Sequence, residues 1–228
     1  MIRKLIPLCV LILGLCSLGF SDPIPVCSSG ALDTYVSLSS GCSVGSLLFS
    51  NFTFGASAAG TGAILPVASG ITVTPESSTN NYGFIFDAAL SPGAGQTQDV
   101  TIDYVVRVMS GASGITDSAL SAEVNGSASA TLTECLGGVL PACTGGTSQG
   151  LTVNGSQFTA SNTFGSVSTV GVGADVSANP NATISGENIE FSTGDTGTTA
   201  PEPASLLLFG SGIVGVAFLI RRRFSQSQ

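Results

Sequence analysis

The chain has 228 residues, 43% of them hydrophobic and only 9% charged, with a formal net charge of −8 and neither His nor Trp. Without histidine there is no Ser-His-Asp or Cys-His arrangement, and without lysine between residues 22 and 200 there is no Ser-Lys or Schiff-base chemistry there. That span holds thirteen acids and a single basic residue, Arg107, so it carries about −12 and cannot lay a basic surface on phosphate, which excludes nucleic acid as a partner.

The N-terminus is patterned for export. Arg3 and Lys4 form a basic start, Leu5 to Leu15 an apolar run, and Gly19 and Ser21 stand where small residues precede a signal-peptidase cut. We expect residues 1–21 to be a signal peptide, cleaved between Ser21 and Asp22 after passage through Sec-type export machinery. The apolar run is too short to read comfortably as a spanning helix.

A body follows over residues 22–191. It shows no sustained helical periodicity. Leu47 to Phe54 and Tyr82 to Phe86 read as aromatic-rich strands, and Ile71 to Thr74 as a strand ended by Pro75. The clearest strand is Asp99 to Met109. Val100, Ile102, Tyr104, Val106 and Val108 share one face, with Thr101, Asp103 and Arg107 on the other, the period of two of a half-buried strand.

Two identical tetrapeptides, Val124-Asn125-Gly126-Ser127 and Val153-Asn154-Gly155-Ser156, predict hairpins, because both residues of Asn-Gly accept positive φ. On that reading Leu120–Val124 pairs with Ala128–Cys135, and Leu151–Val153 with Gln157–Ala160. Ser166 to Val176 and Thr183 to Phe191 are the last strands. Nine or ten short strands spaced by turn residues predict an all-β fold, an antiparallel β-sandwich. A β-solenoid lacks support, because no fixed repeat period is present.

Four cysteines fall in the body: Cys27, Cys42, Cys135 and Cys143. An even number in an exported domain predicts disulfides. Three pairings are possible; the local ones, Cys27–Cys42 and Cys135–Cys143, each close a short loop containing glycine. With no His and no Cys-x-x-Cys, a metal site is not expected, and neither is a cofactor.

Paired carboxylates are the chemistry left open, since two suitably spaced acids can hydrolyse glycosides. Asp99 with Asp103 and Glu187 with Glu190 are the available pairs. Solvated acids are the simpler reading, and we expect no enzyme. Tyr35, Tyr82 and Tyr104 are the tyrosines that could stack on sugar rings.

Residues 192–200 are polar and contain glycine, and read as a tether. Pro201-Glu202-Pro203 comes next, then the uncharged apolar run Ser205 to Ile220, then Arg221-Arg222-Arg223 and a polar end, with residues 225–228 as a cytoplasmic tail. As a helix the apolar run would span about 24 Å at ~1.5 Å per residue, short of a ~30 Å hydrocarbon core but tolerable with snorkelling arginines. The arginines stay cytoplasmic and leave the body outside. The two prolines disfavour helix and keep the motif extended above the membrane.

Thr199 to Gly210, continuing to Arg221-Arg222-Arg223, resembles the PEP-CTERM sorting domain of exopolysaccharide-producing Gram-negative bacteria. Motif, apolar helix and basic stop match in order and spacing over residues 201–224. The resemblance implies recognition by exosortase, an integral-membrane processing enzyme, with cleavage near Pro201-Glu202-Pro203. It also implies an inner-membrane intermediate, then delivery to the cell surface or extracellular matrix, in association with exopolysaccharide. The three motif residues would be a substrate, with the catalytic machinery in the partner.

Overall fold

The structure, a computed structural model, describes residues 24–194. The expected signal peptide with its Ser21–Asp22 cut, and everything from Asp195 onward, lie outside the described residues. No helix among the described residues is long and apolar enough to cross a membrane.

In chain order the described residues form β1 (Gly30–Ala31), α1 (Leu32–Val36), β2 (Cys42–Val44) and β3 (Leu47–Ala59). A single 3-10 turn precedes β4 (Thr72–Ser78), β5 (Asn81–Asp87) and β6 (Thr97–Val108). Then come β7 (Ile115–Asn125), β8 (Ala128–Leu136), β9 (Thr147–Asn154), β10 (Thr159–Val167), β11 (Thr169–Ala178) and β12 (Thr183–Thr193). They build two six-stranded sheets, the first in the order β1-β4-β5-β12-β7-β10 and the second β2-β3-β6-β11-β8-β9. Neighbouring strands pair antiparallel throughout. The all-β antiparallel sandwich read from the sequence is the observed architecture. The strands beyond the expected nine or ten are the very short β1 and β2.

Period-two alternation explains why these segments are strands. Val100, Ile102, Tyr104 and Val106 of β6 point into the sandwich and are almost fully buried, while Asp103 and Arg107 face out. Phe49 and Phe52 of β3 and Phe84 and Phe86 of β5 meet Tyr104 between the sheets, and Phe191 of β12 joins them through Phe49. Phe52 stacks on Tyr104 at 5.3 Å between ring centres, and Phe49 meets Phe84 edge-on at 4.6 Å. Each fully buried side chain of this size contributes about 1.5–3 kcal/mol over leaving it exposed. This aromatic cluster is therefore the energetic centre of the domain.

Neither Asn-Gly turn joins the two strands expected of it, although Asn154 and Gln157 do form an isolated antiparallel bridge. β7 and β8 belong to different sheets, as do β9 and β10, so each turn carries the chain across the sandwich. A two-residue type I′ hairpin needs positive φ at both central residues. Gly126 has φ 72°, but Asn125, Asn154 and Gly155 have no positive φ. Asn154 instead uses its side-chain oxygen to accept the Ser156 N–H at 3.0 Å and the Ser156 hydroxyl at 2.8 Å. β8 pairs with β9 and β11, while β7 pairs with β10 and β12.

Two boundaries also move. β4 runs through Pro75 rather than stopping before it. Pro75 faces Phe84 of β5, and β1 on the other side pairs only with Thr72 and Val73. Its missing N–H therefore falls on an open edge, where proline is tolerated. β12 extends to Thr193, and the Gly194 N–H bonds the Gly114 carbonyl at 2.9 Å, so the first residues assigned to the tether belong to the sheet.

Candidate functional site

The four candidate cysteines pair as expected. Cys27–Cys42 and Cys135–Cys143 are disulfides with Cα–Cα separations of 5.0 and 5.2 Å. The first pins the chain entering the domain to β2. The second closes the β8–β9 connection, which folds over the outer face of β11. Gly171 makes room for it: a Cβ there would lie 2.7 Å from the Val139 Cα and the Leu140 nitrogen. Pro201, Glu202, Pro203 and Arg221, Arg222, Arg223 lie outside the described residues.

The acids do not assemble as the sequence suggested. Asp103 lies on the outer face of the second sheet and is exposed, accepting the Thr53 hydroxyl at 3.4 Å. Asp99 lies on the same strand four residues earlier, a separation of about 13 Å along an extended chain. Its carboxyl titrates above the usual range because of burial. Asp175 on β11 is also raised, by burial and then by the charge of Asp99. Glu187 and Glu190 part company entirely: Glu187 is 1% exposed inside the sandwich, whereas Glu190 is half-buried on the opposite face of β12.

Sequence reasoning missed the buried polar layer. Glu134 of β8 is fully buried, and its Oε2 accepts the Ser118 hydroxyl at 2.9 Å and the Gln149 amide at 2.8 Å. Burial raises its carboxyl above the usual range, and those two bonds partly offset the rise. Burial pushes Glu187 up to about 8, with a further contribution from Asp175. Neither of its oxygens has a protein hydrogen-bond partner, nor does the Tyr104 hydroxyl. Burial first, then the charges of Glu187 and Glu134, raise Tyr104. An acid that stays protonated up to about pH 8 is a neutral core group, and these side chains are sealed from any solute outside. Alternation could have revealed both acids: counting back from Phe191 and Ile189 places Glu187 inward, and counting on from Ala130 and Leu132 does the same for Glu134.

The tyrosines are not a sugar platform. Tyr35 and Tyr104 are each 2% exposed. Tyr35 donates to the Ser28 carbonyl at 2.7 Å, and burial pushes its hydroxyl up to about 12. Tyr82 is half-buried, with its ring against Gly45.

A groove of about 550 Å³ opens on the outer face of the first sheet. Its floor is a row in register across four strands, Ile85 of β5, Asn188 of β12, Ser121 of β7 and Thr159 of β10. Two residues further along, Asp87 and Glu123 flank Ser185 and Gly186. There the β12–β7 register shifts between Ile184 and Glu187, placing Ser185 and Gly186 against the one residue Glu123. Bulges of this kind re-aim side chains beside sites; here the Ser185 hydroxyl donates to Glu123 Oε2 at 3.0 Å. Phe158 closes the β10 end and is 52% exposed. Its carbonyl accepts the Ala122 N–H at 3.1 Å, which fixes its backbone to the central sheet. A lone aromatic beside a turn, in a stretch of small polar residues, was the available sequence signal.

These features define a disulfide-bonded β-sandwich with acids buried in its core and a groove on the outer face of its first sheet. Residues 199–223 match the PEP-CTERM protein-sorting motif. The chain carries that motif and is an exported protein sorted through its C-terminus by exosortase. No curated protein matches the chain. Among solved structures, it has a likeness to the enzymatically active domain of tailspike protein 4 from bacteriophage CBA120, at 12% identity and a TM-score of 0.27. That match covers 64% of this chain and 19% of the tailspike chain.

Proposed function

We propose that the mature protein is a non-enzymatic surface or extracellular-matrix protein that associates with exopolysaccharide. Exosortase cuts it near Pro201-Glu202-Pro203, from an inner-membrane intermediate held by residues 205–220 with Arg221, Arg222 and Arg223 on the cytoplasmic side. The observation that carries this reading is the motif match over residues 199–223. A body of about −12 with a single arginine supports a neutral or hydroxylated partner over an anionic one. The Cys27–Cys42 and Cys135–Cys143 disulfides suit an oxidising compartment.

Peptide mass spectrometry of the extracellular form, made in its own host, tests the sorting step. A C-terminus near residues 201–203, lost when exosortase is deleted, is the expected result. An intact tail through Gln228 that stays with the membrane, unchanged by that deletion, would refute it and leave a C-terminally anchored envelope protein.

A further inference from the structure

We infer that the groove beside Phe158 binds a neutral glycan segment; this rests on the proposed association with exopolysaccharide and gives it a site. Five observations converge. The groove's volume of about 550 Å³ falls in the ~300–1,000 Å³ range of small-molecule sites. Phe158 offers an exposed ring from a backbone held by Ala122. The C–H face of a pyranose is apolar and weakly positive, and it suits the electron-rich face of such a ring.

The remaining lining is hydroxyl, amide and carboxylate. Asp87 and Glu123 accept hydrogen bonds from vicinal hydroxyls, while Ser121 and Thr159 both donate and accept. Asn188 adds a side-chain amide, whose Nδ2 donates to Glu190 Oε1 at 3.4 Å.

Charge fixes the class of sugar. Two carboxylates line the groove with no basic side chain among the lining residues, and Arg107, the only basic residue among those described, sits on β6 of the other sheet. A uronate or sulfated glycan would meet uncompensated repulsion there. The row Ile85, Asn188, Ser121 and Thr159 runs across four strands. Neighbouring strands lie about 4.8 Å apart, so the row extends roughly 14 Å and accommodates a linear segment of several atoms' width rather than a point ligand.

The test uses the secreted protein purified from its host, titrated calorimetrically with cellohexaose, maltohexaose, xylohexaose and oligosaccharides released from the host's own polysaccharide. Polygalacturonate serves as the anionic probe. Binding to at least one neutral oligosaccharide is expected, with none to polygalacturonate. Phe158→Ala should weaken it about tenfold or more, the scale of one aromatic contact, and Phe158→Tyr should retain it. Asp99→Asn, on the opposite sheet, should leave it unchanged.

Absence of binding to every neutral oligosaccharide would overturn the assignment. So would equal binding by Phe158→Ala, or a groove filled by calcium alone or by a second copy of the chain. The C-terminal mass of the same preparation reports on sorting separately, so the groove and the sorting step fail independently.

Discussion

Replacing Glu187 by Gln should make the protein more stable at neutral pH and leave it nearly unchanged in acid. The carboxyl is 1% exposed, has no protein hydrogen-bond partner, and is pushed from the ordinary 4.5 to about 8. Between those two values the unfolded chain releases its proton while the folded chain keeps it. Stability therefore is highest below pH 4.5, falls as pH rises, and levels off above about 8. Each pH unit in that window costs about 1.4 kcal/mol, so pH 7 lies about 3 kcal/mol below pH 4.5 through this group alone. Gln is isosteric and never ionises, which removes that loss. Glu134, Asp99 and Asp175 are displaced in the same direction, so the variant keeps a shallower slope of the same sign. Urea unfolding with disulfides intact, from pH 4.5 to 8.5, measures the difference between the two proteins. If wild type and Glu187→Gln lose stability in parallel across that range, Glu187 is not a neutral core acid and the reasoning fails.

Two further effects follow from the same structure. Removing Cys27–Cys42, which closes a separation of 15 residues, should cost about 3 kcal/mol, and removing Cys135–Cys143, with 8, about 2.5 kcal/mol; urea unfolding of the paired Cys→Ala variants measures both. Gly171→Ala should destabilise by about 1–3 kcal/mol, because its Cβ would strike backbone atoms of Val139 and Leu140. Gly165→Ala, with nothing within 4 Å of the new atom, should be close to neutral; thermal melts of the two separate a steric cause from a general glycine effect.

Local pattern made β6 legible, because one face of the segment is wholly apolar and only one register buries it. The disulfides were legible because each pair is close in sequence. The Asn-Gly turns misled because turn chemistry describes two residues, while the choice of sheet belongs to the whole strand. Leu120 and Ala122 bury against a different partner sheet from Leu132, and nothing in Val-Asn-Gly-Ser records that. The groove was hidden for a related reason. Its floor takes one residue from each of β5, β7, β10 and β12, which are scattered along the chain and adjacent only once the first sheet has formed. Glu187 and Glu134 were readable in principle, but their charge outweighed their position in the alternation.

The place of β12 has a consequence for secretion. In the first sheet, β1, β4 and β5 lie on one side of it and β7 and β10 on the other. The two halves of that sheet meet only through the final strand. A chain emerging from the membrane N-terminus first can form β4–β5 and β8–β9 hairpins early, but the first sheet stays open along its middle until Thr193 has crossed. Only seven residues, 194–200, then separate that last strand from Pro201. In a chain exported N-terminus first, the strand that closes the first sheet is thus the last part of the body to cross ahead of the motif. A half-exported chain presents an open sheet, and a chain ready to be processed presents a closed one.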